Sequence, residues 1–280
     1  MSNLKKSPLI HQDPWRKLRQ FTDARIGLGR VGTSIPTQEL LRFQLSHAQA
    51  IDAVHVPLDV ERLNDDLAQD ALFQTYLPSF QLHSQASDRI TYLQRPDLGR
   101  RLSADSVLKL KAHSDQTPTP YDLAIVIVDG LSSYAIRHHA KPFLAALLPL
   151  LKNDATPWGL APLCIVEQGR VAIGDDVGDA IHAKEVLVLI GERPGLSSPD
   201  SLGLYLTWHP TQGTDDSQRN CISNVRPQGL KYHAAAQKCF YLLSESRRRK
   251  LTGVGLKDRS NSDALAHETE QQFCLTTTNE

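Results

Sequence analysis

The order of apolar and polar residues predicts an α/β sheet in the second half of the chain. Residues 123–128 (LAIVIV) form a continuous apolar and β-branched run, typical of a strand buried on both faces. Three further runs resemble strands, at 163–166, 186–190 and 202–207, and helical periodicity is found at 134–151, 173–183 and 233–248. This alternation predicts a doubly wound, mainly parallel sheet of the Rossmann or flavodoxin-like kind, parallel where helices join the strands.

The residues before this sheet show mainly helical patterns and predict a smaller N-terminal domain. Pro36 can begin a helix at its first position, and Leu41, Leu45 and Ala48 then fall on one face. A second helix is predicted over 104–113, and the prolines within 114–121 favour an extended connection. The predicted organisation is a helical domain at 1–115, an α/β domain at 116–256 and a polar mobile tail at 257–280.

Composition excludes several classes of partner. The 31 Lys and Arg residues balance 31 Asp and Glu residues, so no basic excess suits nucleic acid or an acidic membrane surface. No apolar stretch approaches the ~20 residues of a membrane span, and the N-terminal residues lack the apolar core of a secretory signal. The four cysteines have no short paired spacing, which argues against a zinc site or a disulfide framework. We expect a cytoplasmic protein.

A glycine-rich string near the N-terminus raises an oxidoreductase alternative. Residues 27–32 (GLGRVG) match the dinucleotide fingerprint G-x-G-x-x-G in letters. That fingerprint requires a buried strand before it, and residues 21–26 (FTDARI) are too polar for one. A glycine-built turn before the Pro36 helix is the favoured interpretation, and a nicotinamide or flavin site is the alternative.

Other reactive residue types do not form a recognisable catalytic set. Ser132 does not lie in a G-x-S-x-G elbow. His138 and His139 are adjacent, hence about 100° apart on a helix, and cannot bind one metal in the i,i+4 manner. Cys164 and Cys239 are interpreted as small core residues. We therefore predict no catalytic side chain and no metal ligand in this chain.

Polar segments follow each predicted strand. They are residues 129–132, 167–171, 191–195 and, after a longer connection, 219–224. Ligands of open α/β sheets bind beyond the carboxyl ends of the strands, and parallel strands would bring at least the first three segments to one rim. These segments suit a polar ligand, although Gly and Asp also form tight turns without one. From the residues alone, the prediction is an α/β ligand-binding domain, with a non-catalytic module for a nucleotide-like ligand as the main alternative.

Eight strings in chain order resemble one enzyme family. They are RIGLGRVG from Arg25, PTQELLRFQLSHAQA from Pro36, LQRPDLGRRL from Leu93, VDGLS from Val128, QGRVAIGD from Gln168, IGERPGL from Ile190, RNCISN from Arg219 and LTGVGL from Leu251. Each is weak by itself, but the ordered set, from about Arg25 to Lys257, resembles the small (light) subunit of ethanolamine ammonia-lyase.

The resemblance implies an adenosylcobalamin-dependent enzyme that converts ethanolamine to acetaldehyde and ammonia by a radical mechanism. It implies a hetero-oligomer with a large (heavy) subunit that holds the substrate, with residues 1–115 as a partner-contact region and 116–256 as the cobalamin-binding domain. The family's light-chain cofactor contacts fall on Val171, Glu192 and Cys221, in three of the predicted rim segments. Arg170 or Arg193 could bind a carbonyl or phosphate of the cofactor on chemical grounds.

Two features depart from related patterns. The D-x-H-x-x-G motif of the other major cobalamin-binding fold is absent, so the resemblance implies a cofactor that keeps its own base on cobalt. Some relatives carry a long N-terminal extension linked to bacterial microcompartments, whereas 24 residues precede Arg25 here. The shorter N-terminal segment favours a cytoplasmic location, with a microcompartment as the alternative.

Overall fold

The structure is a computed structural model that describes residues 10–117 and 119–260. The strands are β1 (Ile10–His11), β2 (Arg30–Val31), β3 (Phe80–His83), β4 (Tyr121–Val128), β5 (Cys164–Glu167), β6 (Ala183–Gly191), β7 (Leu202–Trp208) and β8 (Arg219–Val225). The α-helices are α1 (Thr37–His55), α2 (Val60–Ala68), α3 (Arg89–Gln94), α4 (Ala104–Ser114), α5 (Ser133–Lys152), α6 (Ile173–Ala180) and α7 (Tyr232–Arg249). The predicted tail at 257–280 lies outside the described residues from 261 onward.

Six strands form one mixed sheet in the order β3-β5-β4-β6-β7-β8. The pairs β3–β5, β5–β4 and β4–β6 are parallel, whereas β6–β7 and β7–β8 are antiparallel. Helix α5 joins β4 to β5 and α6 joins β5 to β6, as parallel neighbours require a long crossover. No helix joins β6 to β7, and this pair runs antiparallel. The α/β class is confirmed, and all four strands predicted from apolar runs are present.

Helices cover both faces of the sheet because its central strand is apolar on both sides. Leu123, Ile125 and Ile127 of β4 pack into a core with helices α2, α5 and α7. The alternate residues, such as Val126, pack into a second core with α4 and α6. Successive side chains of a strand point to opposite faces, so an uninterrupted apolar run supplies both cores. Residues 123–128 are at most 2% exposed, as that run predicts.

The two edge strands of this sheet were missed. Strand β3 lies in a segment for which only helices were predicted, and it pairs with β5. Residues 219–224 were expected to form a rim loop but belong to β8. Fewer side chains are buried in β8 than in the central strand β4, so β8 leaves no continuous apolar run in the sequence. In β8, three spaced residues (Arg219, Ile222 and Val225) are buried and the others face outward at least in part.

The glycine-rich string forms a turn rather than a dinucleotide site. Gly32 has a φ of 58°, and reciprocal backbone hydrogen bonds join Val31 and Ser34 around it. A 3₁₀ helix, Pro14–Gln20, precedes the string where the fingerprint would need a buried strand. Helix α1 then begins at Thr37, so the predicted turn and helix are confirmed, but Pro36 is the N-cap rather than the first helical residue.

Helix α1 contacts the rest of the protein along a narrow stripe. Only Glu39 and Ala53 of this helix are buried. Leu41 and Leu45, predicted to share one face, are 59% and 60% exposed. Within the described residues, no helix combines the length and apolar character needed to cross a bilayer.

Candidate cofactor site

A cavity of about 670 Å³ lies at the carboxyl ends of β4, β5 and β6. The ends of these strands and the loops that follow them supply Leu131, Arg170–Ala172 and Gly191–Arg193 to its wall. Parallel strands end at the same edge of a sheet, so the predicted convergence of the first three rim segments is confirmed. The remaining wall comes from other parts of the fold and consists of Tyr92, Pro96, Arg100, Ile190, Tyr205, Asp216, Arg219 and Cys221.

The three residues singled out from the sequence all line this cavity. Val171 lies in the turn that leads into α6, and Glu192 directly follows β6. Cys221 lies within β8, opposite Tyr205 of β7, rather than in the predicted loop. Three elements that are distant in sequence therefore bring an apolar, an anionic and a thiol side chain to one wall.

Glu192 is held in place by the two antiparallel strands. Its Oε2 accepts hydrogen bonds from the Ser201 hydroxyl and, at 3.2 Å, from the backbone N–H of Asn224. Its Oε1 makes no hydrogen bond with the described residues and lies across Gly203, where an added Cβ would come within 2.9 Å of it. The carboxylate is therefore fixed through one oxygen and can accept a ligand hydrogen bond at the other.

Cys221 is suited to packing rather than to nucleophilic chemistry. Its side chain is exposed at the cavity. The surrounding protein nevertheless desolvates the sulfur and raises the pKa of the thiol, with Tyr205 acting in the opposite direction and the nearby Glu192 charge adding to the rise. A thiol with a raised pKa is protonated at neutral pH and is a poor nucleophile.

The arginines around the cavity differ in exposure and in how strongly other protein groups bind them. Arg219 is 3% exposed in its side chain and binds Asp175 of α6 with two bonds of 2.6 and 2.7 Å. The Arg170 guanidinium stacks on Tyr92, with its carbon 4.2 Å from the ring centroid. Arg193 is exposed on the wall. Arg219 thus joins β8 to α6, and Arg193 is the more available for a ligand.

A scan of known protein families identifies this chain. A family model described as ethanolamine ammonia-lyase light chain matches residues 12–257. The chain belongs to the ethanolamine ammonia-lyase light-chain family. The resemblance carried by the eight ordered strings is therefore confirmed.

Curated relatives in this family are similar over almost their whole length. The ethanolamine ammonia-lyase small subunit of Pseudomonas fluorescens strain Pf-5 is 51% identical over 262 residues, covering 94% of this chain and 93% of the relative. The small subunit of Pseudomonas aeruginosa strain UCBPP-PA14 is 52% identical over 257 residues, with 92% of each chain covered. The small subunit of Azotobacter vinelandii strain DJ is 52% identical over 249 residues, covering 89% of this chain and 90% of the relative.

Sequence reasoning missed the part of the light-chain cavity that comes from the N-terminal region. Tyr92 lies on α3, and Pro96 and Arg100 lie just beyond it. Nothing in their local pattern predicts a site, because tertiary packing alone brings α3 beside the carboxyl ends of β4 and β5. The string from Leu93, which contains Pro96 and Arg100 and resembles the family, was the one available signal.

Proposed function

We propose that this chain is the small subunit of an adenosylcobalamin-dependent ethanolamine ammonia-lyase, which converts ethanolamine to acetaldehyde and ammonia together with a large subunit. The observation that carries the proposal is the cavity at the carboxyl ends of three parallel strands, lined by Val171, Glu192 and Cys221, in a chain of the light-chain family. Helices on both faces of these strands support a doubly wound, Rossmann- or flavodoxin-like arrangement, which binds ligands at this edge.

The chemistry of the wall fits part of a corrin. A corrin has an apolar face and a periphery of amide side chains. Leu131, Val171 and Ile190 offer apolar contact, the Glu192 Oε1 can accept from an amide N–H, and Arg193 can donate to an amide carbonyl. Adenosylcobalamin is much larger than the ligands for which a cavity of this volume is typical. We infer that this chain covers one side of the cofactor and that the large subunit covers the other.

The role of this chain is to bind and orient the cofactor. When bound, adenosylcobalamin supplies the radical chemistry that removes hydrogen from ethanolamine, and the protein supplies orientation and exclusion of side reactions. Val171 and Cys221 would pack against the cofactor, and Glu192 would fix its rotation through one hydrogen bond.

We propose that the N-terminal region also contacts the large subunit. It carries large apolar side chains that are exposed in the single chain, among them Trp15 at 68%, Phe21 at 78%, Leu41 at 59% and Leu45 at 60%. Large apolar side chains left exposed in a single chain are typical of a surface that another protein covers. A charged residue at Leu41 or Leu45 should weaken assembly with the large subunit, measured by co-purification, whereas Val254→Glu, at a site 81% exposed outside this region, should not.

Reconstitution tests the proposed function. Acetaldehyde formation from ethanolamine and adenosylcobalamin is measured for this chain, for the large subunit and for their mixture. We expect activity only from the mixture, because the described residues of this chain form no catalytic set of their own. Acetaldehyde production by this chain alone, or an assembled pair without activity, would overturn the proposal.

A further inference from the structure

A group of largely buried side chains in and behind the cavity wall holds the turn that carries Arg170 and Val171. We propose that Asp129, Arg89 and Tyr92 form a positioning cluster, which fixes residues 168–171 and thereby sets the affinity for the cofactor. Asp129 and Arg89 do not line the cavity, so they act through this turn. The inference rests on the proposed function, since it names further residues that shape the same site.

Asp129 binds the turn through both carboxylate oxygens. It directly follows β4 and is fully buried. Its Oδ2 accepts the Gln168 amide N–H at 2.9 Å, and its Oδ1 accepts the Gly169 amide N–H at 3.1 Å. Bonds from backbone N–H groups to a carboxylate are among the stronger hydrogen bonds of proteins. Two successive amides after β5 are thus attached to the end of the neighbouring strand.

The turn needs such support because its conformation is unfavourable. Gln168 has a φ of 57°, in the left-handed region that costs a residue with a side chain about 1 kcal/mol or more. At Gly169 an added Cβ would lie 2.5 Å from the Val128 Cγ1, so the turn lies directly against β4. A backbone of this kind persists where surrounding contacts hold it.

Tyr92 and Arg89 hold the same turn from the side of α3. The Tyr92 hydroxyl donates to the Gly169 carbonyl at 3.0 Å, and its ring is stacked by Arg170. Arg89 donates through Nη1 to both Asp129 and the Gln168 side chain, each at 3.3 Å, and its guanidinium carbon is 4.8 Å from the Tyr92 ring centroid. The cluster thus contacts three consecutive residues, 168, 169 and 170. Val171, on the cavity wall, is the next residue along the chain.

The cluster also connects the site to the helical region. Arg89 donates through Nε to the Val54 carbonyl near the end of α1, at 2.7 Å. Any change in Arg89 therefore affects α1, α3 and the turn together. Asp129 contacts the turn more directly, which makes it the better residue to test.

The test is Asp129→Asn in the enzyme assembled with the large subunit. Asparagine keeps the size of the side chain, but its amide group places an N–H against a backbone N–H of the turn. We expect the dissociation constant for adenosylcobalamin to rise about tenfold or more, with turnover at saturating cofactor within about threefold of the unsubstituted enzyme. The measurements are an absorbance titration with adenosylcobalamin, steady-state turnover and thermal unfolding.

Asp122→Asn is the matched control. Asp122 lies near the opposite end of β4 and accepts hydrogen bonds from Lys184 at 2.8 Å and from the Gly159 amide at 2.9 Å. This substitution should lower stability without changing the dissociation constant. If Asp129→Asn fails to fold, Tyr92→Phe removes only the hydroxyl bond to Gly169 and should raise the dissociation constant by a smaller factor, about threefold.

The outcomes separate the inference from the proposed function. A rise in the dissociation constant for Asp129→Asn or Tyr92→Phe, absent in Asp122→Asn, supports the positioning cluster. An unchanged constant in a variant that only unfolds at lower temperature overturns it, because a purely structural role would give that result. If the unsubstituted assembly does not bind adenosylcobalamin at all, the proposed function itself fails.

Discussion

Glu192 is the residue whose removal tests the proposed cofactor site most simply. Glu192→Ala deletes the carboxylate that lies between Ser201, Asn224 and Gly203. Oε2 is occupied by the protein, so the cofactor can gain one hydrogen bond, at Oε1. The substitution should therefore weaken cofactor binding without removing any other described element of the wall.

The expected magnitude follows from this single bond. A hydrogen bond to a charged group contributes about 1.5–3 kcal/mol, equivalent to a rise of about 10- to 150-fold in the dissociation constant. The folded chain also loses the acceptor of the Ser201 hydroxyl, and Ser201 is buried. A decrease in the unfolding free energy of about 1–2 kcal/mol should accompany the change.

The assay is an absorbance titration of the assembled enzyme with adenosylcobalamin. Glu245→Ala is the control, because Glu245 lies on α7 and pairs with Arg248 at 2.7 Å, apart from the residues that line the cavity. Its affinity for the cofactor should equal that of the unsubstituted enzyme. A folded, assembled Glu192→Ala variant with an unchanged dissociation constant would refute the assigned role.

Three further predictions concern Cys221, Gly203 and Glu185. Cys221→Ser should retain most turnover with a modest loss of cofactor affinity, whereas Cys221→Trp should obstruct binding, as measured on the reconstituted enzyme. Gly203→Ala places a Cβ within 2.9 Å of the Glu192 Oε1, so the carboxylate should move and the titration should show weaker cofactor binding. Glu185 is fully buried, and burial raises its pKa well above its usual value, although the Ser246 hydroxyl and the Arg247 charge act in the opposite direction. Such a group stabilises the fold below its unfolded pKa and loses that contribution as pH rises from the unfolded pKa to the folded pKa. The stability advantage of Glu185→Gln should therefore increase with pH in urea unfolding experiments.

Each of these predictions has a result that contradicts it. If serine at position 221 abolishes turnover at saturating cofactor while assembly is normal, the thiol has a chemical role. Gly255→Ala, where the nearest atom would be 3.5 Å from the new Cβ, is the control for Gly203→Ala, and equal affinities in the two variants would refute the displacement of Glu192. An advantage of Glu185→Gln that is constant between about pH 5 and pH 8 would show that Glu185 is already ionised in the folded protein over this range, and would refute the raised pKa.

The centre of the fold could be predicted because burial leaves a clear pattern there. Residues 123–128 lie between two cores, so every one of them must be apolar. An exposed segment is under no such constraint. The edge strand β8 gives no such signal. Its buried Arg219 is stabilised by Asp175, 44 residues earlier, and this partner becomes visible only in the tertiary structure.

The site was predictable in part for the same reason. Val171 and Glu192 follow strands that the sequence reveals, so the geometry of a parallel sheet places them at one edge. Tyr92 and Arg100 reach that edge from the N-terminal region, through contacts that no local pattern encodes. In α1 the sequence pattern instead predicts burial that the single chain does not show. Leu41 and Leu45 have the spacing of a buried helix face, yet both are exposed.

The most direct test of the central claim is an experimental structure of this chain assembled with the large subunit and adenosylcobalamin. The account predicts density for the corrin in the cavity at the ends of β4, β5 and β6, in contact with Val171, Glu192 and Cys221, and with the large subunit on its other side. A corrin enclosed by the large subunit alone, with this cavity filled by protein side chains, would contradict the account.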